Sequence, residues 1–349
     1  MITEEQLKAE HSEKTVELKR IIAEQKTILQ GYRREHGKLE VFFDEVMEAI
    51  TPVTEREPIR QKGALKSGTL IEPCFHITDT HKGAVQEPNE IEGFNAFNPD
   101  ISHDRSIRFA EEAVKWSNFM KLAYRIEEAS VIITGDLISG DIHDELRITN
   151  AYPTPVQVVE SAKDIAEQIQ VIAPHFRKVK VHFITEDNHS RLTKKPQAKE
   201  AGMNSLNYLV GSMLQAYTAS LSNVQMNIYP MHEKVIHVNG RQYLICHGHD
   251  VKGWMGIPWY SIERKVGREA QARLQLIMQD IEKAKDIGFH KYIFGHWHTA
   301  FDISLYSCGA SLSGTDAYDH QAGRHAAPGQ SVWLVHPTHG EFNRTNFVL

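Results

Sequence analysis

Five short runs of metal-ligating residues lie in order along this 349-residue chain: Asp79-Thr80-His81, Gly135-Asp136, Asn188-His189, His247-Gly248-His249 and Gly295-His296-Trp297-His298. In the first, a carboxylate and an imidazole alternate. At a strand end both reach the same loop-side site, and the pair suits Mn, Fe or Zn. Gly135-Asp136 follows the apolar run Val131-Ile132-Ile133-Thr134, which leaves a carboxylate placed to bridge two cations. Asn188 offers a neutral oxygen ligand, and the adjacent His189 is free to face a substrate as a general acid. His296 and His298 repeat the alternating geometry with two imidazoles. In His247-Gly248-His249, after the strand-like run Tyr243-Leu244-Ile245-Cys246, two imidazoles likewise fall on one side. Singly, such pairs are common turn residues. Five ordered clusters, each after a strand-like run, are hard to reach by chance. Asp141, His143 and Asp144 read as loop and helix-start residues.

The elements that must position these residues follow an alternating pattern. Strand-like runs fall at 70–78, 130–134, 179–185, 242–246 and 291–294, and helix-like runs at 104–128, 156–172, 203–220 and 262–287. Alternation of this kind implies a layered α/β domain. Segments 301–307 and 331–336 are strand-like and follow one another without a long helix, so a mixed sheet or two packed sheets fits better than a purely parallel one. Between them the polar, glycine-containing stretch from Ser311 to His325 reads as a surface loop, too loose for a core, with Arg324 and His325 as candidate phosphate contacts. His336 and His339, flanking Pro337, read as a turn after the last strand.

Residues 1–50 differ from the rest: Leu18, Ile22, Gln25, Leu29, Tyr32, His36, Leu39, Phe43, Val46 and Ile50 follow spacings of four and three. That is a heptad seam with polar interruptions, and it reads either as a coiled-coil arm that joins copies into a homo-oligomer or as an amphipathic helix on its own domain. Residues 51–69 read as a linker and 70–349 as the main domain.

Composition sets outer bounds. The chain is 41% hydrophobic and 24% charged, an ordinary globular balance, and histidine is the outlier at 20 residues. A formal net charge of -6 argues against a generally basic nucleic-acid binder but leaves room for a local basic groove. Cys74, Cys246 and Cys308 are odd in number and form no CxxC pair, which points away from a disulfide framework and toward a reducing compartment. The start of the chain is charged and no 18-residue apolar run exists, so neither a signal peptide nor a membrane helix is expected, and the expected location is cytoplasmic.

The motif order DxH, GD, NH, H, GHxH resembles the calcineurin-like metallophosphoesterases over roughly residues 70–300. The resemblance implies a four-layer α/β sandwich (α+β-like), two mixed β-sheets flanked by helices, with a site for two divalent metal ions. Carried over residue by residue, Asp79, His81 and His298 would hold one metal, Asn188, His247 and His296 the other, and Asp136 would bridge them. His189 would be the catalytic acid. The family usually has glycine before the Asn-His pair, whereas this chain has Glu186-Asp187. Glycine there permits a positive φ, which Asp tolerates better than most residues, and Asp187 adds negative charge near the metals.

The function so implied is a two-metal phosphodiesterase or nuclease acting on DNA or another nucleotide phosphodiester by metal-hydroxide attack, its cations about 3.5–4 Å apart. Mn is the first choice of metal, with Fe, Zn, Mg and Ni as alternatives. The Mre11/SbcD-like nucleases and the phage-type phosphoesterases are the specific branches in view. Arg191, Lys194 and Lys195 follow the third motif, and Trp254, Trp259, Tyr260 and Arg264 follow the fourth. Basic residues interleaved with aromatics suit a nucleic-acid strand, through phosphate contact and base stacking. A phosphomonoesterase, a protein phosphatase and a non-catalytic metal-binding scaffold are the alternatives.

Overall fold

A computed structural model of the chain describes residues 47–57, 63–253 and 255–349. The chain divides into two compact units, Met1–Thr51 and Pro52–Leu349, and the second carries all five motifs. The expected arm over residues 1–50 falls almost wholly outside the described residues, as does Trp254.

The second unit opens with a repeating strand–helix series: β1 (Glu72–Ile77), α1 (Pro99–Met120), β2 (Glu128–Ile133), α2 (Thr154–Ile172), β3 (Lys178–Ile184), α3 (Leu206–Tyr217) and β4 (Val224–Tyr229). It continues through β5 (Glu233–Val238), β6 (Arg241–Cys246), α4 (Trp259–Gln279), β7 (Lys291–Phe294), β8 (Phe301–Asp302), β9 (Tyr306–Cys308), α5 (Ala317–Gln321), β10 (Gly329–His336) and β11 (Gly340–Val348). The strands form two mixed sheets, one in the order β11-β10-β1-β2-β3-β4, the other in the order β5-β6-β7-β9-β8. In the first, β1 to β4 are mutually parallel, and β10 runs antiparallel to both β1 and β11. In the second, β6, β7 and β9 are parallel, and β5 and β8 are antiparallel additions.

Strands covered on both faces read as unbroken apolar runs, which is why β1, β2 and β3 were visible in the sequence. One face of each sheet meets the other: Cys74, Ile132, Ile184 and Trp333 of the first pack on Val238, Tyr243, Ile245 and Ile293 of the second. The outer face of the first sheet is covered by helices. Phe109 of α1 lies against Phe347 of β11, ring centroids 6.3 Å apart, Gly211 of α3 sits over Phe183 and Ile228, and α2 packs beside α1 and α3. The outer face of the second sheet buries Leu244, Tyr292 and Phe294 against Ile262 and Val266 of α4. The layers are therefore helix, sheet, sheet, helix, a mixed α/β fold.

Several boundaries differ from the sequence expectation. Helix α1 begins at Pro99 because the Asn98 side chain accepts from Asp100 N and Ile101 N, and it stops at Met120. The single strand expected at 301–307 is a tight hairpin, β8–β9, closed by Ile303 N donating to Tyr306 O at 3.0 Å. The turn at His336 exists, with Thr338 N and His339 N donating to His336 Nδ1, but a further strand, β11, comes after it. Inside the expected linker, Val53 N donates to Tyr217 O and Leu65 N to Lys121 O, at 2.9 and 3.0 Å. No helix among the described residues is long and apolar enough to cross a membrane.

Candidate metal centre

Strands β1, β2, β3, β6 and β7 are each followed at their C-terminal ends by one of the five motifs, the edge where α/β sheets place their sites. Past the β1–β2 ladder, Asp79 N donates to Gly135 O and His81 N to Asp136 O, both at 3.0 Å. Across the second sheet, Gly295 N donates to His247 O at 3.0 Å. The two sheets converge here so closely that a Cβ on Gly295 would lie 2.1 Å from Thr78 Oγ1 and 2.3 Å from Asp79 Oδ2. Thr78 itself is clamped by the Gln330 side chain, which accepts from Thr78 N and donates to Thr78 O, both at 2.8 Å.

The ligand-type atoms fall into two clusters linked by a third. Asp79, His81 and His298 form one, and Asp136, His247 and His296 the other, with the atoms of each within 4.8 Å of one another. Asp136 also groups with His81 and His189, and so stands between the two. His81 Nε2 is 3.0 Å from His298 Nε2, and His298 Nε2 is 3.6 Å from Asp79 Oδ1. His247 Nε2 is 3.0 Å from Asp136 Oδ2 and 2.9 Å from Asn188 Oδ1. His189 Nε2 lies 4.0 Å from Asp136 Oδ2.

Five of these residues carry a left-handed backbone: Asp79 (φ 51°), His81 (44°), Asp136 (47°), His296 (71°) and His298 (55°). For a side chain with a Cβ that conformation costs about 1–2 kcal/mol. Concentration of such residues at one spot marks a site over-determined by its surroundings, as functional sites are.

The outer nitrogens of three rings are already committed. His247 Nδ1 donates to Thr134 O at 2.8 Å, His189 Nδ1 to Ser139 O at 2.6 Å, and His298 Nδ1 pairs with Asp319 Oδ2 at 2.5 Å. Each Nε2 is thereby turned inward, the arrangement that orients metal-ligating histidines. Burial lowers the His247 ring, but the Asp136 carboxylate outweighs it and raises the ring to about 9, so Nε2 carries a proton between the two oxygens that it faces. Burial, and then neighbouring His189 and His298, hold His81 well below the ordinary histidine value. Burial and then His247 do the same to His296, so both are neutral rings with a lone pair to give. Burial opposes ionisation of Asp136, but His247 and His189 beside it override this and hold its carboxyl well below the usual range. The carboxylates, an amide oxygen, the neutral rings of His81 and His296, and the rings of His247 and His298, which burial lowers but Asp136 and Asp319 raise to about 9 and about 10, are donor types that fit divalent cations of the Mn, Fe or Zn kind once those ring protons are displaced.

The partners of Asp187 and the part played by Asp319 were not found from sequence. Asp187 does not adopt the positive φ that a glycine there would permit. It is buried and accepts from Asp136 N at 2.6 Å, Ser190 N at 2.7 Å, Ser190 Oγ and Asn207 Nδ2. Burial, then the Asp136 charge, push its carboxyl up. Asp319 belongs to the segment expected to be loose. Ser311, Ser313, Asp319 and Arg324 are all buried, and Ser311 Oγ donates to Asp79 O at 2.9 Å. Arg324, read as a phosphate contact, is instead tied to Asp319 through Nε at 2.8 Å and a terminal nitrogen at 2.7 Å. His325 packs against Phe94, ring centroids 4.8 Å apart.

The expected substrate residues are more scattered. Arg191 lines a pocket with Glu186, Asp187 and His249, but its guanidinium donates to Thr193 O and Lys194 O of its own loop. Lys194 pairs with Asp144 at 2.5 Å, and Lys195 is exposed. Trp259 and Tyr260 open α4. Trp259 leans on Phe301 with ring centroids 4.6 Å apart, while Tyr260 and Arg264 are exposed. His143 stands 6.4 Å from His189, ring to ring.

No protein-family model and no curated protein matches the chain. Among solved structures it is similar to a single mutant of Vps29 from Entamoeba histolytica, at 11% identity and a TM-score of 0.26, over 79% of this chain and 99% of that one. It is similar also to a purple acid phosphatase from yellow lupin (Lupinus luteus) seeds, at 10% identity and a TM-score of 0.32, over 80% of this chain and 54% of that one. At such scores the function of this chain has to be argued from its own residues.

Proposed function

We propose that the chain is a two-cation phosphoesterase, acting on phosphodiesters of DNA or another nucleotide, with Mn as its first-choice metal. The observation that carries this reading is the place of Asp136, which groups with His247 and His296 and also with His81, itself a member of the Asp79–His81–His298 cluster. Asn188 completes the second through its contact with His247. When bound, a pair of divalent cations supplies charge neutralisation and activates water for in-line displacement at phosphorus.

The chain's own groups do the rest. Asp319, Thr134 and Ser139 fix three ring orientations before substrate arrives, so little reorganisation is left for the reaction itself. His189, turned inward by its bond to Ser139, donates a proton from Nε2 to the departing oxygen. The loop over residues 192–200 is exposed and comes directly after His189, so Lys195 and Lys199 are free to meet a phosphate backbone. Joining of copies through residues 1–50 belongs to the same proposal.

The test is a substrate panel with the Mn-loaded protein: bis-p-nitrophenyl phosphate, p-nitrophenyl phosphate, single- and double-stranded DNA, and cyclic nucleotides. The expected result is turnover of the diester and of DNA above that of the monoester. Preference for the monoester points to a phosphomonoesterase. No turnover on any substrate, with metal bound, overturns the enzyme reading in favour of a metal-binding scaffold.

A further inference from the structure

A second set of ligand-type residues lies beside the centre and takes no part in it. Glu186 comes after β3, His232 sits in the turn between β4 and β5, and His249 comes after β6. Their ligand atoms fall within 4.8 Å of one another. His232 Nδ1 is 3.1 Å from Glu186 Oε1, and His249 Nε2 is 3.9 Å from the same oxygen. The three come from three separate elements, so the fold assembles them, and no local turn requires their meeting.

Their surroundings resemble those of a held ligand set. The other nitrogen of His232, Nε2, faces Asp250 Oδ2 at 3.4 Å, and Asp250 is anchored in turn by Lys265 Nζ at 2.8 Å. A carboxylate behind a histidine in this way fixes the ring and its tautomer for a metal on the opposite side. His249 Nδ1 is buried with no hydrogen-bond partner among the described residues. A proton on His232 would satisfy Glu186 and Asp250 but leave His249 idle, whereas a cation employs all three. The His249 ring stands 5.6 Å from that of His247 and 6.5 Å from that of His296, so the group adjoins the second cluster. On its other side Glu186 and His249 line the pocket that also holds Arg191 and Asn204, which gives the group access to solvent.

We propose, independently of the phosphoesterase reading, that Glu186, His232 and His249 bind a further divalent cation of the zinc class. Two imidazoles and one carboxylate suit Zn or Fe(II), and three protein ligands leave a position open to water or to an oxygen of a bound phosphate.

The direct test is anomalous diffraction at the zinc edge, on crystals of the full chain dialysed against a slight excess of zinc. The expected result is a peak bounded by Glu186, His232 and His249, separate from any density around Asp136. Absence of that peak overturns the proposal and leaves His232 as a protonated bridge between two carboxylates, whatever the Asp136 centre shows. In solution, Glu186→Gln and His232→Asn, each checked for folding by circular dichroism, should bind about one equivalent less zinc per chain than the unaltered protein. Equal zinc content in a folded variant would contradict the proposal.

Discussion

Asp187 stands where the resembling family usually has glycine, and it acts as a brace. Its two carboxylate oxygens take donors from the second motif, from Ser190 just past the third, and from Asn207 at the start of α3. It thereby ties three chain segments around Asp136. Hydrogen bonds to a charged group contribute about 1.5–3 kcal/mol each and are not additive, so Asp187→Gly should lower stability by about 2–4 kcal/mol. Asp187→Asn, which keeps one acceptor oxygen, should lose less. Urea unfolding midpoints would show this, and an unchanged midpoint for Asp187→Gly would remove the bracing role. The ligand-type residues were legible in the sequence because their types and spacings are local properties. The bracing roles of Asp187, Asp319 and Gln330 were not, because they depend on partners far away in the chain: Asp187 on Asp136, Asp319 on His298, and Gln330 on Thr78.

At the scale of elements, the strands that carry the motifs are the inner ones, and their apolar runs announced them. The strands that escaped notice, β4, β5 and β11, are all sheet edges, and β8, drawn too long, is the remaining edge. Edge strands are half solvated, so Val-Gln-Met-Asn-Ile-Tyr in β4 and Glu-Phe-Asn-Arg-Thr-Asn-Phe-Val in β11 mix polar and apolar residues without a buried run. The meeting of the two sheets at Gly295 gives an element-level prediction. Gly295→Ala forces a methyl group into Thr78 and Asp79, which must move apart. Asp79 accepts from His296 N through both oxygens, at 3.0 Å each, so its displacement disturbs the first cluster and the fifth motif together. The variant should keep its far-ultraviolet circular dichroism and bind metal more weakly. Wild-type metal affinity in isothermal titration would show that the sheets do not need this close approach.

At the scale of the whole molecule, two mixed sheets with separate outer helices share one edge, and neither sheet holds the site alone. Asp79, His81, Asp136, Asn188 and His189 come from the first sheet, and His247, His296 and His298 from the second. A ligand bound only by the folded state stabilises it. Cations bound at this junction, as proposed, would therefore hold the two sheets together, with Asp136 as the shared member. The most direct measurement is the metal content and turnover of two variants, Asp136→Asn and His189→Ala, on the substrate that the unaltered protein cleaves best. Asp136→Asn should lose most of its bound metal and its activity with it. His189→Ala should keep its metal and lose turnover by about 10²–10⁴-fold, the usual contribution of a positioned acid. Wild-type activity in both variants, or full metal content in Asp136→Asn, would contradict a shared two-cation centre.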